Sequence, residues 1–278
     1  MIPSDTSGFS RISKLYIIER IKRINPFFGS LGLTIGNFDG YHLGHQQIVR
    51  LLTSKCRQRG LFSAVITFKE HPLKLISGEV PKLLGSPMEK IRWFQTVGVD
   101  ILFYIDFDLS ILNTEPLEFI KTLQRELDPR LYCLGTSFRF GRENAGDVDL
   151  IWRQKQVLGY ELFCVDDVMV ADEAVSSTRI RKAVMEGNIK LANRLLGRRY
   201  TVWLRKDDRA KGHLSLLLPD TALPCQGRYA GEMLDLQTRA NCKTALTISG
   251  GIVQADSVIK NAGLYYQFFF HHNMEEEK

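Results

Sequence analysis

His42 and His45 stand three residues apart in the stretch Thr34-Ile35-Gly36-Asn37-Phe38-Asp39-Gly40-Tyr41-His42-Leu43-Gly44-His45, directly after an apolar run. The run reads as a strand, the glycine-bearing stretch as a tight turn, and the pattern from Leu43 onward as a helix start. At such a junction the unpaired N–H groups and the positive dipole end of the helix face whatever lies beyond the strand tip, and that place receives phosphate. Gly36 and Gly40 permit backbone angles and close approach that a Cβ would block. Asn37 or Asp39 can cap the helix through a side-chain oxygen. Gly44, in the first helical turn, costs about 1 kcal/mol relative to alanine, which calls for a packing or ligand reason. Two imidazoles on one helix face can donate hydrogen bonds to phosphate oxygens as charge accumulates between two phosphorus atoms. Gly36, Asn37, Phe38, Asp39 and Gly44 are therefore candidate nucleotide-binding residues, with His42 and His45 as candidate catalytic groups. The plain alternatives are two incidental surface histidines, or a metal pair that lacks a nearby third nitrogen or sulfur ligand.

Three further stretches could add chemistry. In Ser176-Ser177-Thr178-Arg179-Ile180-Arg181 one serine suits a helix N-cap, while cations in a first turn oppose the helix dipole unless an anion intervenes. A solvated basic helix start is the ordinary reading, reversed here by the company of the histidine motif. Phe138-Arg139-Phe140 is either core plus one exposed charge, or a place that sandwiches a flat ring and holds a phosphate. His71-Pro72 makes a stiff loop after a strand and takes a supporting role.

The elements that must position these residues alternate. Strands are expected at 14–18 (a short edge strand, broken by Asn25-Pro26), 31–35, 61–68, 101–105, 131–134 and 161–165. Helices are expected at 43–59, 87–97, 116–127, 148–158, 177–185 and 188–196, with Gly60 as a left-handed cap and Pro116 in a first turn. The nearly continuous apolar strand at 61–68 is of the kind buried on both faces of a parallel sheet. The pattern predicts an α/β fold, a Rossmann-like doubly wound parallel sheet with its ligands beyond the carboxyl ends of the strands. From Tyr200 onward the helical period disappears. Short β-type runs at 200–204, 214–218, 228–236, 245–248 and 264–270 predict a small all-β, barrel-like module. The expected division is 1–187, a helical linker 188–199, and 200–278. No repeat or low-complexity segment is present apart from the acidic tail Glu275-Glu276-Glu277.

Composition sets outer bounds. The chain has 278 residues, 44% hydrophobic and 24% charged, with a net charge of +6, values of an ordinary globular protein with a mildly basic surface. Five scattered cysteines without a CxxC pair suggest neither a zinc site nor a disulfide framework, hence reduced thiols in a cytoplasmic protein. No apolar stretch reaches the roughly 18–20 residues needed to span a bilayer, and the first twenty residues lack a signal-type apolar core. Neither a membrane nor a nucleic acid is the expected partner. Oligomeric state is not legible.

Gly36-Asn37-Phe38-Asp39-Gly40-Tyr41-His42-Leu43-Gly44-His45 resembles the opening motif of the FMN adenylyltransferase domain in the bacterial riboflavin kinase/FAD synthetase family. The resemblance continues in order through Thr67-Phe68-Lys69-Glu70-His71-Pro72, Gly135-Thr136-Ser137-Phe138-Arg139-Phe140-Gly141, Gly146-Asp147-Val148, Ser176 to Arg181, and Leu195-Leu196-Gly197-Arg198. It covers roughly 31–200. It implies a nucleotidyltransferase-type domain that transfers AMP from ATP to FMN, with Mg2+ accompanying ATP. It also implies an ATP site at Gly36, Asn37, Phe38, Asp39, Gly44, Ser176, Ser177 and Thr178, and a flavin site at Phe68, His71, Pro72, Phe138, Arg139 and Phe140. Catalysis would fall to His42, His45 and Arg179, with no metal-ligating residues. Glu70, Ser137 and Arg199 depart from the family pattern, the first two at places that tune substrate position.

In the second module Leu223-Pro224-Cys225-Gln226-Gly227-Arg228-Tyr229-Ala230 resembles the family's kinase strand entry, and Leu264-Tyr265-Tyr266 echoes another of its structural segments. Where its PTAN motif belongs stands Gly212-His213-Leu214-Ser215-Leu216-Leu217-Leu218. The expectation is a shortened barrel whose riboflavin kinase chemistry is gone. A bifunctional enzyme that also phosphorylates riboflavin, a transferase for nicotinamide mononucleotide or phosphopantetheine, and an inactive flavin-binding protein are the alternatives.

Overall fold

The computed structural model describes residues 9–12, 14–21, 29–78, 80–207, 213–250, 252–257 and 264–274. The Asn25-Pro26 break, Gly212 and the acidic tail lie outside them. Packing divides the chain into two units, Met1–Pro81 with Pro87–Met169, and Lys82–Ser86 with Val170–Lys278.

The first unit is built on one sheet. Its strands are β1 (Phe9–Ile12), β2 (Leu15–Ile18), β3 (Leu31–Ile35), β4 (Phe62–Phe68), β5 (Ile101–Ile105), β6 (Pro129–Gly135) and β9 (Glu161–Val165), with the two-residue pair β7 (Arg139–Phe140) and β8 (Gly146–Asp147) beside it. Helices α1 (Leu43–Arg59), α2 (Leu73–Ser77), α3 (Pro87–Val97), α4 (Leu109–Leu112), α5 (Pro116–Leu127) and α6 (Val148–Leu158) connect them. The strand order is β1-β2-β5-β4-β3-β6-β9. From β2 to β9 every pairing is parallel. The expected edge strand at 14–18 is instead second in the sheet, because β1 pairs antiparallel outside it with Phe9 opposite Ile18.

All five residues of β3 and six of the seven in β4 are buried, so both faces of the sheet are covered. The two-residue strand period sends Ala64, Ile66 and Phe68 into one apolar cluster and Val65 into the other. Leu123 and Leu127 of α5 fill the first cluster, and Val49 and Leu52 of α1 with Phe94 of α3 fill the second. Strand order runs one way from β3 through β4 to β5 and the other way from β6 to β9. The switch point therefore lies between β3 and β6, where ligands of doubly wound sheets bind.

The second unit contains most of the short hairpin β10 (Met169–Val170) and β11 (Glu173–Ala174), the helices α7 (Ser177–Met185) and α8 (Ile189–Leu196), and a closed antiparallel barrel in the order β12-β13-β16-β15-β14-β17. Those strands are β12 (Thr201–Lys206), β13 (His213–Leu216), β14 (Gly227–Asp235), β15 (Asn241–Ser249), β16 (Ile252–Ala255) and β17 (Tyr265–Asn273). Tyr200, Tyr229, Tyr266, Phe268 and Phe270 fill its interior. Asn193 of α8 accepts from the Tyr200 N–H at 2.6 Å and donates to the Phe270 carbonyl at 3.0 Å. By packing, then, α7 and α8 group with the barrel, whereas the expected division at 187 and 199 follows element type.

Candidate active site

The turn after β3 is stitched to β4. The Gly36 N–H donates to the Ile66 carbonyl at 3.1 Å, and the Thr67 hydroxyl donates to the Asn37 carbonyl at 3.1 Å. Phe38 and Tyr41 hold φ of 53° and 44°, a left-handed backbone that side chains adopt at a cost of about 1–3 kcal/mol and keep only where packing enforces it. Here the Phe38 ring is buried edge-on against Phe94 (5.3 Å) and His45 (5.1 Å). A Cβ on Gly36 would come within 3.1 Å of that ring, so glycine is what lets Phe38 fold beneath the turn. The Phe38 ring is thus a wedge in the core, and what Phe38 can offer a nucleotide is its backbone.

The expected cap is absent. Asp39 is buried in a 3-10 turn (Asp39–Tyr41), and α1 starts from His42 at the N-cap with no side-chain cap. The donors of the first turn of α1 are left without the side-chain acceptor that Ser, Asp or Asn would provide at that position.

His42 is 7% exposed, and its ring stacks on that of His45 with centroids 3.6 Å apart and 21° between planes. Gly44 sits between them in sequence, and a Cβ there would meet His42 Cε1 and Nδ1 at 3.3 Å. Its packing reason is room for that imidazole. Both Nδ1 atoms are buried without a hydrogen-bond partner among the described residues, as are Thr34 Oγ1 and the Tyr41 hydroxyl. Burial pushes His42 down to about 4. Burial, then the charges of His42 and Lys90, hold His45 well below the ordinary imidazole range. Both rings are neutral at pH 7 and reserve polar atoms for a ligand.

Lys90, which the sequence motifs do not include, completes this corner. Trp93 of α3 stacks on Tyr41 at 5.4 Å and Phe94 touches Phe38, which lays α3 against the turn. One turn earlier on the helix, the half-buried Lys90 donates from Nζ to the Phe68 carbonyl at 3.3 Å. Burial lowers it to about 8, opposed by the Asp39 carboxylate. Its signal was topological, since nothing in the sequence of α3 distinguishes this lysine from a solvated one.

Phe68 is buried edge-on against Phe107 at 4.9 Å, so its carbonyl, not its ring, faces the site corner. His71 Nδ1 accepts from the Leu73 N–H at 3.2 Å and Pro72 is the N-cap of α2, a helix-starting turn. Beyond β6, Phe138 and Phe140 stack on each other at 5.4 Å and 16°. A flat ring between them would need twice the ~3.5 Å contact distance, so the sandwich reading fails. Phe140 is core, packed on Phe119, and Phe138 is the outer ring. Arg139 is exposed, and its one donation among the described residues is to the Phe138 carbonyl, at 3.0 Å. Ser137, where the family pattern has an acid, donates to Asp167 Oδ1 at 3.2 Å.

In the second unit Ser176 caps α7, accepting from the Arg179 N–H at 3.2 Å. The Arg179 guanidinium donates to the carbonyls of Val170 and Glu173 at 2.9 and 2.8 Å and pairs with the Glu173 carboxylate at 3.1 Å. The dipole-opposing charge is met by the β10–β11 hairpin. Arg181 donates to the Lys82 carbonyl at 2.6 Å, Ser177 is half-buried and Thr178 is exposed. Where PTAN belongs, His213–Leu216 is a barrel strand paired with β12 and β16. Among the described residues no group of three His, Cys, Asp or Glu side chains is disposed to hold a metal. No helix among them is long and apolar enough to cross a membrane.

Known proteins resemble this chain in sequence and fold. The family model described as FAD synthetase matches residues 29–179. The bifunctional riboflavin kinase/FMN adenylyltransferase of Escherichia coli (strain K12) is 30% identical over 232 residues, 78% of this chain and 74% of that protein. The protein of the same name from Buchnera aphidicola subsp. Schizaphis graminum is 30% identical over 188 residues, 66% of this chain and 59% of its own length. Alignments thus span from somewhat over half to three quarters of such relatives. Among solved structures, a macrolide-efflux protein from Streptococcus pneumoniae superposes with a TM-score of 0.78 at 22% identity, covering 93% of this chain and 90% of that one. That likeness speaks to the fold alone. With the family match spanning more than half of the chain and an E. coli relative aligned over three quarters of its length, this chain belongs to the FAD synthetase family.

Proposed function

We propose that this chain is an FMN adenylyltransferase. An oxygen of the FMN phosphate attacks the α-phosphorus of ATP in line, the bond to the bridging oxygen breaks, pyrophosphate leaves, and FAD forms. The observation that carries this reading is the pair of stacked neutral imidazoles at the uncapped start of α1, each with an unpartnered buried Nδ1. A phosphate chain arriving there raises both imidazole pKa values, because a nearby anion favours the protonated form. The rings then donate to oxygens whose charge grows as the bridging bond breaks. Gly36, Asn37, Asp39 and Gly44 shape the nucleotide side. No nucleophilic residue is required, so rate comes from positioning and charge stabilisation.

The remaining assignments rest on the family resemblance: Arg179, Ser176, Ser177 and Thr178 toward ATP, and Phe138, Arg139, His71, Pro72 and the Phe68 and Phe140 segments toward the flavin. ATP would bring Mg2+ with it, whose charge would help to neutralise the phosphates, and no residue of the chain is assigned to hold the ion. Riboflavin kinase activity is not proposed, since the segment at the PTAN position is a paired strand. Five free cysteines favour residence in a reducing cytoplasm.

The test is incubation of the full chain with ATP labelled at the α-phosphate and, separately, FMN, nicotinamide mononucleotide, phosphopantetheine or riboflavin. Labelled FAD and one pyrophosphate per turnover are expected with FMN only. Flavin binding without pyrophosphate release contradicts the reading, and FMN formed from riboflavin contradicts the loss of kinase chemistry.

A further inference from the structure

Lys90 holds an unusual position for a lysine. Its ammonium is drawn in from solvent to the carboxyl end of β4. There the only hydrogen bond it makes among the described residues is to the Phe68 carbonyl at 3.3 Å. An ammonium has three protons to donate, so two remain. The Asp39 carboxylate favours the charge from a distance but takes no hydrogen bond from it among the described residues, so a partly desolvated ammonium with one carbonyl acceptor is completed best by a further anion. The neighbouring Lys69, by contrast, turns outward and pairs with Glu19 and Asp106.

Several elements converge on this ammonium. Phe68 of β4 offers its carbonyl, the 3-10 turn brings the buried Asp39 whose charge acts on the ammonium, and α1 brings His45, which feels the Lys90 charge, with His42 stacked on it. Lys90 and the two unpartnered imidazole nitrogens thus border the same strand ends. We infer that Lys90 is a further catalytic residue, its ammonium anchored on the Phe68 carbonyl and presenting its free protons to the phosphate chain of the bound nucleotide. This rests on the adenylyl-transfer reading for its substrate, but the contact itself is to phosphate. Asp39 holds the charge in place before the ligand arrives, and burial makes that charge conditional: free Lys90 loses its proton as pH rises through about 8, and a bound polyanion retains it.

The experiment compares the full chain with Lys90→Met and Lys90→Arg, reading ATP affinity by titration calorimetry from pH 6.5 to 9.5, FAD formation, and the melting temperature. Wild-type affinity is expected to decline above pH 8. Lys90→Met should bind ATP at least 10-fold more weakly at pH 7 with no decline, and lose kcat/KM by roughly 100-fold. Lys90→Arg should restore most of the affinity and hold it to pH 9.5, because its charge does not titrate there. A lysine that only braced α3 against β4 would lower the melting temperature of Lys90→Met while leaving ATP affinity and its pH profile as in the wild type, which overturns the inference. Should Lys90→Met fail to fold, an unchanged alkaline decline in Lys90→Arg overturns it equally. ATP binding that depends on Lys90 without FAD formation would instead remove the adenylyl-transfer reading and leave the phosphate contact standing.

Discussion

The imidazoles of His42 and His45 lie face to face, their centroids 3.6 Å apart, each with a buried Nδ1 that no group among the described residues satisfies. Stacked rings at that distance cannot both be charged in a desolvated corner without strong repulsion. The pair is stable when neutral and becomes favourable as a cation only with an anion present, which couples its protonation to ligand binding.

That coupling carries a stability consequence in acid. The folded-state pKa of His42, about 4, lies below the unfolded value of about 6.5. The neutral ring therefore contributes its full share of stability above pH 6.5, and the share is lost as pH falls from 6.5 towards 4. Between pH 7.5 and 4.5 the loss is on the order of 2–3 kcal/mol from this residue, with His45 acting in the same direction. Urea unfolding at the two pH values, in wild type and His42→Gln, checks it. The variant should lose correspondingly less, and parallel pH dependence in the two proteins would contradict the neutral-pair picture.

Gly44 separates stability from activity. Alanine in a helix is favoured over glycine by up to about 1 kcal/mol, yet a Cβ there would lie 3.3 Å from the His42 ring. Gly44→Ala should leave the melting temperature unchanged or slightly higher while moving that ring by a few tenths of an ångström. Turnover should fall by about 10-fold, since small misplacements of positioned groups are expensive in rate. A variant with full turnover would show that the ring position is not critical.

Arg179 makes a different kind of prediction. Its planar fork gathers the carbonyls of Val170 and Glu173 and the Glu173 carboxylate. Lysine cannot reproduce that geometry. Arg179→Lys should accelerate amide hydrogen exchange across 170–176 by an amount corresponding to roughly 1–3 kcal/mol of local stability. It should leave the barrel strands protected as before. Unchanged exchange in the hairpin would mean that the fork does not organise it.

Much of this architecture was legible before any coordinates, and the reasons are specific. Helices α1, α3, α5, α6 and α7 carry an apolar period, and each has at least one terminal marker, such as Gly60 after α1 or Pro116 at the start of α5. β3 and β4 announced themselves as unbroken apolar runs. The two-residue pairs β7–β8 and β10–β11 are too short to have a period, and the four-residue β16, Ile252–Ala255, falls between the runs expected at 245–248 and 264–270. At the site, the histidines, glycines and Ser176 were readable because each has a local reason to be where it is. Phe140, Phe138 and Lys90 were not. Whether a ring is core or wall, and whether a lysine turns in or out, depends on neighbours brought from Phe119, Phe68 and Asp39 by the sheet order.

The central claim is that His42 and His45 act on the phosphate chain as the bond to pyrophosphate breaks, so the most direct measurement is single-turnover FAD formation in His42→Asn and His45→Asn beside equilibrium ATP binding. Each substitution is expected to slow the chemical step by 100-fold or more, about 2.7 kcal/mol, while ATP affinity changes by less than 5-fold. Near-normal single-turnover rates in both variants, or a loss of ATP affinity that fully accounts for the lost rate, would contradict it.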